Sequence, residues 1–243
     1  MIAVIGGTGL TEPQFLNDLY IRQVSTPYSQ QDVQVVIGSF GGKEVAFLPR
    51  HGRGHKVPPH KINYRANLWA LQTLGVSAII GINAVGGIHK ETGPGRLAVP
   101  NQIIDYTWGR EHTFFAEDLD DVTHIDFTQP YDEALRALLI DSAEATPIWP
   151  EGVYGCTQGP RLESAAEVQR LLRDGCDMIG MTGMPEAALA RELNMAYACL
   201  ALSVNWAAGL TEEPITMEAI GKVLNTGMDE AVRVLCTAIT NYN

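Results

Sequence analysis

Short runs of β-branched and apolar residues alternate along the chain with segments of helical periodicity, and this alternation constrains the fold more than any other feature. Strand-like runs cover residues 2–5, 33–37, 45–48, 78–82, 102–106, 152–158, 178–181 and 196–204. Amphipathic helical patterns cover 64–74, 132–145, 164–173, 185–193 and 217–242. A chain of this order places helices over both faces of a sheet, so the expected class is α/β, with one domain over residues 1–243. Ser164-Ala165-Ala166-Glu167 has the form of a capping box, and Pro185 suits the first turn of its helix. Residues 108–130 are acidic, aromatic and weakly periodic, and read as a long ordered loop serving as a subunit contact or an active-site lid.

The balance of charge narrows the partners. A net charge of −11 makes the surface repel nucleic-acid backbones and anionic membranes, so neither is expected to bind. A local cluster of Arg, His and backbone N–H groups can still reverse the potential inside one pocket and hold a small anion. Cys156, Cys176, Cys199 and Cys236 form no CxxC pair and have no His at zinc-finger spacing, which predicts buried free thiols and no metal site. The first residues enter a glycine turn after four apolar positions without a basic lead, too soon for a secretory signal. No apolar run reaches the length of a membrane span, and a cytoplasmic protein is expected.

Several anion-binding pieces end strands. Gly6-Gly7-Thr8-Gly9 follows the first strand, where amides and the Thr8 hydroxyl suit a phosphate; a plain turn fits the same residues. A dinucleotide fingerprint fails because Glu12 replaces its third small residue, and no Gly-Lys-Ser/Thr follows to make a Walker A loop. Pro49-Arg50-His51-Gly52-Arg53-Gly54-His55 offers guanidinium forks and imidazoles, as an anion cluster or as a solvated basic loop. Ile82-Asn83-Ala84-Val85-Gly86-Gly87 and Ile179-Gly180-Met181-Thr182-Gly183-Met184-Pro185-Glu186 end two more strands, the second running into a helix N-terminus. Ligands of open α/β sheets collect at such carboxyl ends.

Taken in order, Gly6-Gly7-Thr8-Gly9, Pro49-Arg50-His51-Gly52, Asn63-Tyr64-Arg65-Ala66-Asn67, Gln158-Gly159-Pro160-Arg161 and Met181-Thr182 followed by Pro185-Glu186 resemble the trimeric purine nucleoside and methylthioadenosine phosphorylases over nearly the whole chain. The resemblance implies a single α/β domain with a twisted mixed β-sheet flanked by helices, a homotrimer, and cleavage of an N-glycosidic bond by inorganic phosphate. Phosphate is then a co-substrate, and no metal or organic cofactor is implied. By position, Thr8, Arg50, His51, Asn83, Ala84 and Thr182 resemble the family's phosphate-binding set, and Met181 resembles the methionine under the ribose. His124, in the long loop, resembles a histidine donated by the neighbouring subunit, which would put the active site near the subunit interface.

Two positions bear on the base. Adenine-type members carry Asp-x-Asp where this chain has Asn205-Trp206-Ala207, and a small hydroxyl where it has Glu163, so this chain matches the 6-oxopurine members. A 6-oxopurine presents an N1–H donor and an O6 acceptor, which a carboxylate and an amide can meet. Adenine presents an acceptor at N1, leaving the carboxylate unpaired at about 1–3 kcal/mol or more. Glu163 and Asn205 are therefore the expected catalytic pair, with Trp206 and Ala207 beside Asn205 as expected substrate contacts; the other reading of Glu163 is an acid favoured at a helix N-terminus.

At the 5' end, Met217 falls near the place where inosine-cleaving relatives carry a histidine for the 5'-hydroxyl. A thioether packs on a methylthio group and cannot replace that hydrogen bond. Ile215 is the alternative contact, because alignment here needs a one-residue gap, and a core-facing Met217 at a helix start is a third reading. The expected substrate is 5'-methylthioinosine, with methylthioadenosine or the general 6-oxopurine nucleosides as alternatives. A non-catalytic nucleotide-binding protein is the distant one.

Overall fold

The computed structural model describes residues 1–117 and 119–242. Its strands are β1 (Ile2–Gly6), β2 (Asn17–Thr26), β3 (Ser29–Phe40), β4 (Lys43–Pro49), β5 (Ala78–Gly87), β6 (Leu97–Ala98), β7 (Gln102–Asp105), β8 (Ile148–Trp149), β9 (Val153–Cys156), β10 (Met178–Gly180) and β11 (Ala196–Trp206). Its helices are α1 (Tyr64–Thr73), α2 (Glu133–Asp141), α3 (Ala165–Arg173), α4 (Glu186–Glu192) and α5 (Met217–Asn241). All strands join one mixed sheet, with the path β2-β3-β4-β1-β5-β10-β9-β7 and a branch in which β11 pairs with β5 and β6, and β6 with β8.

The pleat of β1 explains the two cores. Ile2 and Val4 enter one buried cluster with Ile80, Leu200 and Leu235, while Ala3 and Ile5 enter another with Leu68, Leu71 and Leu189. Successive side chains of a strand point to opposite faces, so a strand covered on both sides reads as an unbroken apolar run. Helices α2 and α5 lie in contact against one face, α1 and α4 against the other. Burying each such aliphatic side chain contributes about 1.5–3 kcal/mol.

Several expectations are corrected. Strand β2 was not expected, because it lies at the sheet edge with nearly every residue exposed and so carries no buried period. Strands β6 and β8 have two residues each, too short to leave a pattern. Strands β5 and β11 run past residues 82 and 204 to Gly87 and Trp206, and α2 stops at Asp141. The capping box is present, with Ser164 and Glu167 each bonding the other's backbone. Pro185 sits at the N-cap of α4, not in its first turn, after a cis Met184–Pro185 peptide. The described residues between 108 and 130 hold no helix or strand.

Candidate active site

The site lies where the sheet divides. One edge of β5 pairs with β11 along its length, while the other pairs with β1 only as far as Gly81 and with β10 only from Gly86. The intervening residues are released from the ladder, and a cavity of about 290 Å³ opens beside them. Its walls come from the ends of β1, β4, β10 and β11, from the loop before α3 and from the start of α5. This is the switch-point position at which open α/β sheets take ligands.

Thr8, Arg50, His51, Ala84 and Thr182 all line this cavity, so five of the six residues read as a phosphate set converge on it. Gly7 is fixed by close approach, since a Cβ there would lie 2.5 Å from the Ile82 carbonyl oxygen and 2.8 Å from Arg50 Nη1.

The Arg50 fork faces a partner in the chain. Its Nε and Nη2 donate to the two Glu186 oxygens at 2.7 and 2.6 Å, Nη1 donates to the Ile82 carbonyl at 2.8 Å, and Nη2 also donates to Asn83 Oδ1 at 3.4 Å. Of the five guanidinium protons one, on Nη1, is left for a ligand. Burial alone would lower the Arg50 pKa, and the Glu186 carboxylate more than reverses it. Tyr197 donates to the same Glu186 at 2.8 Å. Positive charge at Arg50 is thereby matched inside the core, and one aimed donor remains.

Asn83, the sixth expected ligand, does not line the cavity. Its Nδ2 donates to Thr182 Oγ1 at 2.9 Å and to the Tyr154 hydroxyl at 3.4 Å, while Oδ1 accepts from Arg50 and from Cys199 Sγ. An amide so occupied has no capacity left for phosphate. Because Thr182 Oγ1 accepts from Asn83, its own proton is turned elsewhere, and Asn83 works from behind by orienting that hydroxyl. Thr182 itself precedes α4 by several residues rather than capping it.

His51 is buried, and its Nδ1 lies 2.8 Å from the Val57 carbonyl. A carbonyl only accepts, so Nδ1 carries the proton and Nε2 is left as the free ring nitrogen. Burial holds the His51 pKa down to about 4, with Arg50 and His55 adding to the effect against the Val57 hydrogen bond. Burial also lowers the His55 pKa. The His55 ring lies 4.3 Å from that of His51, and its Nε2 is 3.5 Å from Thr8 Oγ1. Burial thus works against charge on both imidazoles, and the pocket offers aimed donors rather than surplus positive charge.

Glu163, Asn205, Ala207 and Met181 line the same cavity. A register shift between Ser203 and Asn205 makes β11 bulge there. In a regular strand Val204 and Asn205 would face opposite sides; the bulge lets both line the cavity. Asn205 Nδ2 donates to the Trp206 carbonyl at 2.7 Å, which fixes the amide's orientation and leaves Oδ1 and one proton free. Trp206 does not line the cavity: its ring packs on Gly93, where a Cβ would lie 2.8 Å from Cζ2.

Part of the lining is apolar. Ile215, Met217 and Ile220 all contribute to it, so the two alternatives for the 5' contact are both present and Ile220 joins them. Met217 is 75% exposed at the mouth, which removes the reading of a core-facing methionine. His124 lies exposed on the long loop and does not line the cavity of its own chain.

Arg110 was missed by the sequence reading. It is buried, and it donates to the carbonyls of Thr157, Gln158, Met181 and Met184, fastening the long loop to both walls of the site. Its signal was its isolation, as the one Arg or Lys among residues 108–130. Glu186 stood in a motif of the family resemblance but had no role assigned, because its partner lies 136 residues away.

An α/β sheet opened at its switch point, with clustered anion donors, a carboxylate–amide pair and an apolar wall, has the layout of a nucleoside-cleaving enzyme. The family model of the phosphorylase superfamily matches residues 1–240, and the chain belongs to that superfamily. It is 54% identical over 240 residues to a probable S-methyl-5'-thioinosine phosphorylase of Pseudomonas syringae pv. tomato, covering 98% of each chain. It is 42% identical to the 6-oxopurine nucleoside phosphorylase of Pyrococcus furiosus, covering 98% of this chain and 91% of that one. Among solved structures it is similar to a methylthioadenosine phosphorylase from Schistosoma mansoni in complex with adenine, with a TM-score of 0.93 and 31% identity over 98% of this chain and 90% of that one.

Proposed function

We propose that the protein catalyses phosphorolysis of S-methyl-5'-thioinosine to hypoxanthine and 5-methylthioribose 1-phosphate. The observation that carries this reading is that one cavity gathers three kinds of chemistry in its lining: the anion donors Thr8, Arg50, His51 and Thr182, the carboxylate and amide of Glu163 and Asn205, and the apolar side chains of Ile215, Met217 and Ile220. Phosphate oxygen forms the new bond to C1' as the C1'–N9 bond breaks and its electron pair moves into the purine. The sugar passes through an oxocarbenium-like state, so catalysis rests on holding phosphate beneath that cation and stabilising charge on the departing base. No side-chain nucleophile enters the reaction.

Glu163 accepts from N1–H of the 6-oxopurine, and Asn205 meets its N7 and O6 edge. Met181 lies under the ribose, and the apolar side takes the methylthio group. Thr8, Arg50 Nη1, Thr182 and backbone amides near Ala84 hold the phosphate co-substrate. His51 contributes Nε2 as an acceptor for a phosphate O–H. The resemblance to trimeric relatives supports a homotrimer in which His124 of a neighbouring copy approaches the 5' end, and the net negative charge and four free thiols, three of them buried and Cys236 half-buried, suit a cytoplasmic setting.

The deciding experiment is release of free base from methylthioinosine, methylthioadenosine, inosine and adenosine, with and without phosphate. Phosphate-dependent release, best from methylthioinosine, is expected. No release from any of them overturns the reading, and better release from methylthioadenosine overturns the base assignment.

A further inference from the structure

A second cavity, of about 570 Å³, lies on the outer side of the loop that carries Glu163. Glu163 lines both cavities, whereas Thr157 lines only the outer one. The Glu163 side chain is thus part of the partition between them, and Thr157 stands behind it as seen from the substrate.

Thr157 follows β9, and its backbone N–H donates to the Gly180 carbonyl at 2.8 Å, tying it to the last residue of β10. Its hydroxyl has one proton and two acceptors in reach, Glu163 Oε1 and, at 3.4 Å, the Gly180 carbonyl. The carboxylate is the charged and closer acceptor, and a charge-assisted bond is the stronger. Arg161, the nearest cation in sequence, makes no hydrogen bond to Glu163 and acts on it only through its charge, its Nη1 and Nη2 donating to Glu167 at 2.8 Å. Among the described residues no hydrogen-bond donor other than Thr157 reaches Glu163.

We propose that Thr157 is a positioning residue for base recognition, fixing Glu163 Oε1 from outside the substrate cavity so that Oε2 is held ready for the N1–H of a 6-oxopurine. The proposal rests on the reading of Glu163 given above. Thr157 donates to Oε1, so the carboxylate presents Oε2 as an acceptor, which a 6-aminopurine with its own acceptor at N1 cannot use. Without that hydroxyl the carboxylate is free to rotate across the partition toward the outer cavity. Discrimination between the two bases then falls while the phosphate end is untouched.

The test compares Thr157→Val, Thr157→Ser and Glu163→Gln by kcat/KM on methylthioinosine and methylthioadenosine, with phosphate KM and thermal midpoint as controls. Thr157→Val, of equal volume but without the donor, is expected to lower the ratio of the two substrates about tenfold, in line with loss of a hydrogen bond to a charged group. Phosphate KM should stay within about twofold, since the anion donors are untouched, and Thr157→Ser should recover most of the ratio. A wild-type ratio in Thr157→Val overturns the proposal, as does a Thr157→Ser variant as impaired as Thr157→Val. If Glu163→Gln itself keeps the wild-type ratio, the base assignment fails and this proposal with it. If Glu163→Gln collapses the ratio and Thr157→Val does not, only the positioning role is lost.

Discussion

Arg50 and Glu186 meet through two hydrogen bonds of 2.7 and 2.6 Å, with both side chains out of contact with water. Removing one partner of such a pair leaves a buried charge unmatched, at about 3–5 kcal/mol. Glu186→Ala is therefore expected to lose that much in denaturant unfolding, although it touches no ligand; a loss below about 1 kcal/mol would put the pair's energetic role in doubt. Arg50→Ala should lose similar stability and, in addition, raise the phosphate KM roughly tenfold or more through loss of the Nη1 donor. Binding of free hypoxanthine to the folded Arg50→Ala protein should stay near the wild-type level, and an equal loss of both would point to general unfolding.

His51 gives a pH signature. Its pKa falls from about 6.5 in the unfolded chain to about 4 in the fold, so the unfolded state takes up the proton first as the solution is acidified. The contribution to stability is complete above about pH 6.5 and is lost as the pH falls toward 4, at up to about 1.4 kcal/mol per pH unit. Unfolding midpoints of wild type and His51→Gln between these values should converge as the pH drops, with a shallower slope in the variant. Parallel slopes would show that His51 is not held neutral.

The base assignment is reversible by design. Glu163→Ser with Asn205→Asp should move preference from 6-oxopurines toward 6-aminopurines, because the hydroxyl can meet an N1 acceptor and the carboxylate can accept from N7–H or the exocyclic amine. Competition between methylthioinosine and methylthioadenosine in one reaction reads the change directly. A double variant with the wild-type ratio would place the base elsewhere.

At the 5' end, wild type should cleave methylthioinosine far better than inosine, since a 5'-hydroxyl left without a partner costs about 1–3 kcal/mol. Met217→His should narrow that gap by supplying a polar partner at the mouth. Equal turnover of the two nucleosides by wild type at low substrate would refute the apolar pocket.

Much of this site was readable because its pieces are short and contiguous. Thr8, Arg50, His51, Thr182, Glu163 and Asn205 each follow a strand-like run or precede a helical one, and sequence order alone put them at strand ends. What could not be read was which pieces face each other across the sheet. Asn83 looked like a phosphate ligand by its neighbours, but four partners from four different segments occupy its amide. Trp206 followed Asn205 into the expected set, and the ordinary alternation of a strand turns the two to opposite sides. Strand β2 was illegible for a simpler reason, since this edge strand buries only Val24 and Thr26 near its end, too few to mark a period.

The lining of the cavity is anchored unequally. Asn205 belongs to a strand whose flanking residues are packed in the core, while Met217 stands exposed at the start of α5. Substitutions in a packed core are felt throughout it, and substitutions on an exposed segment are usually within about 0.5 kcal/mol of neutral. Evolution is therefore free to retune the 5' group by single steps that leave folding intact, whereas a change of base must negotiate the sheet itself.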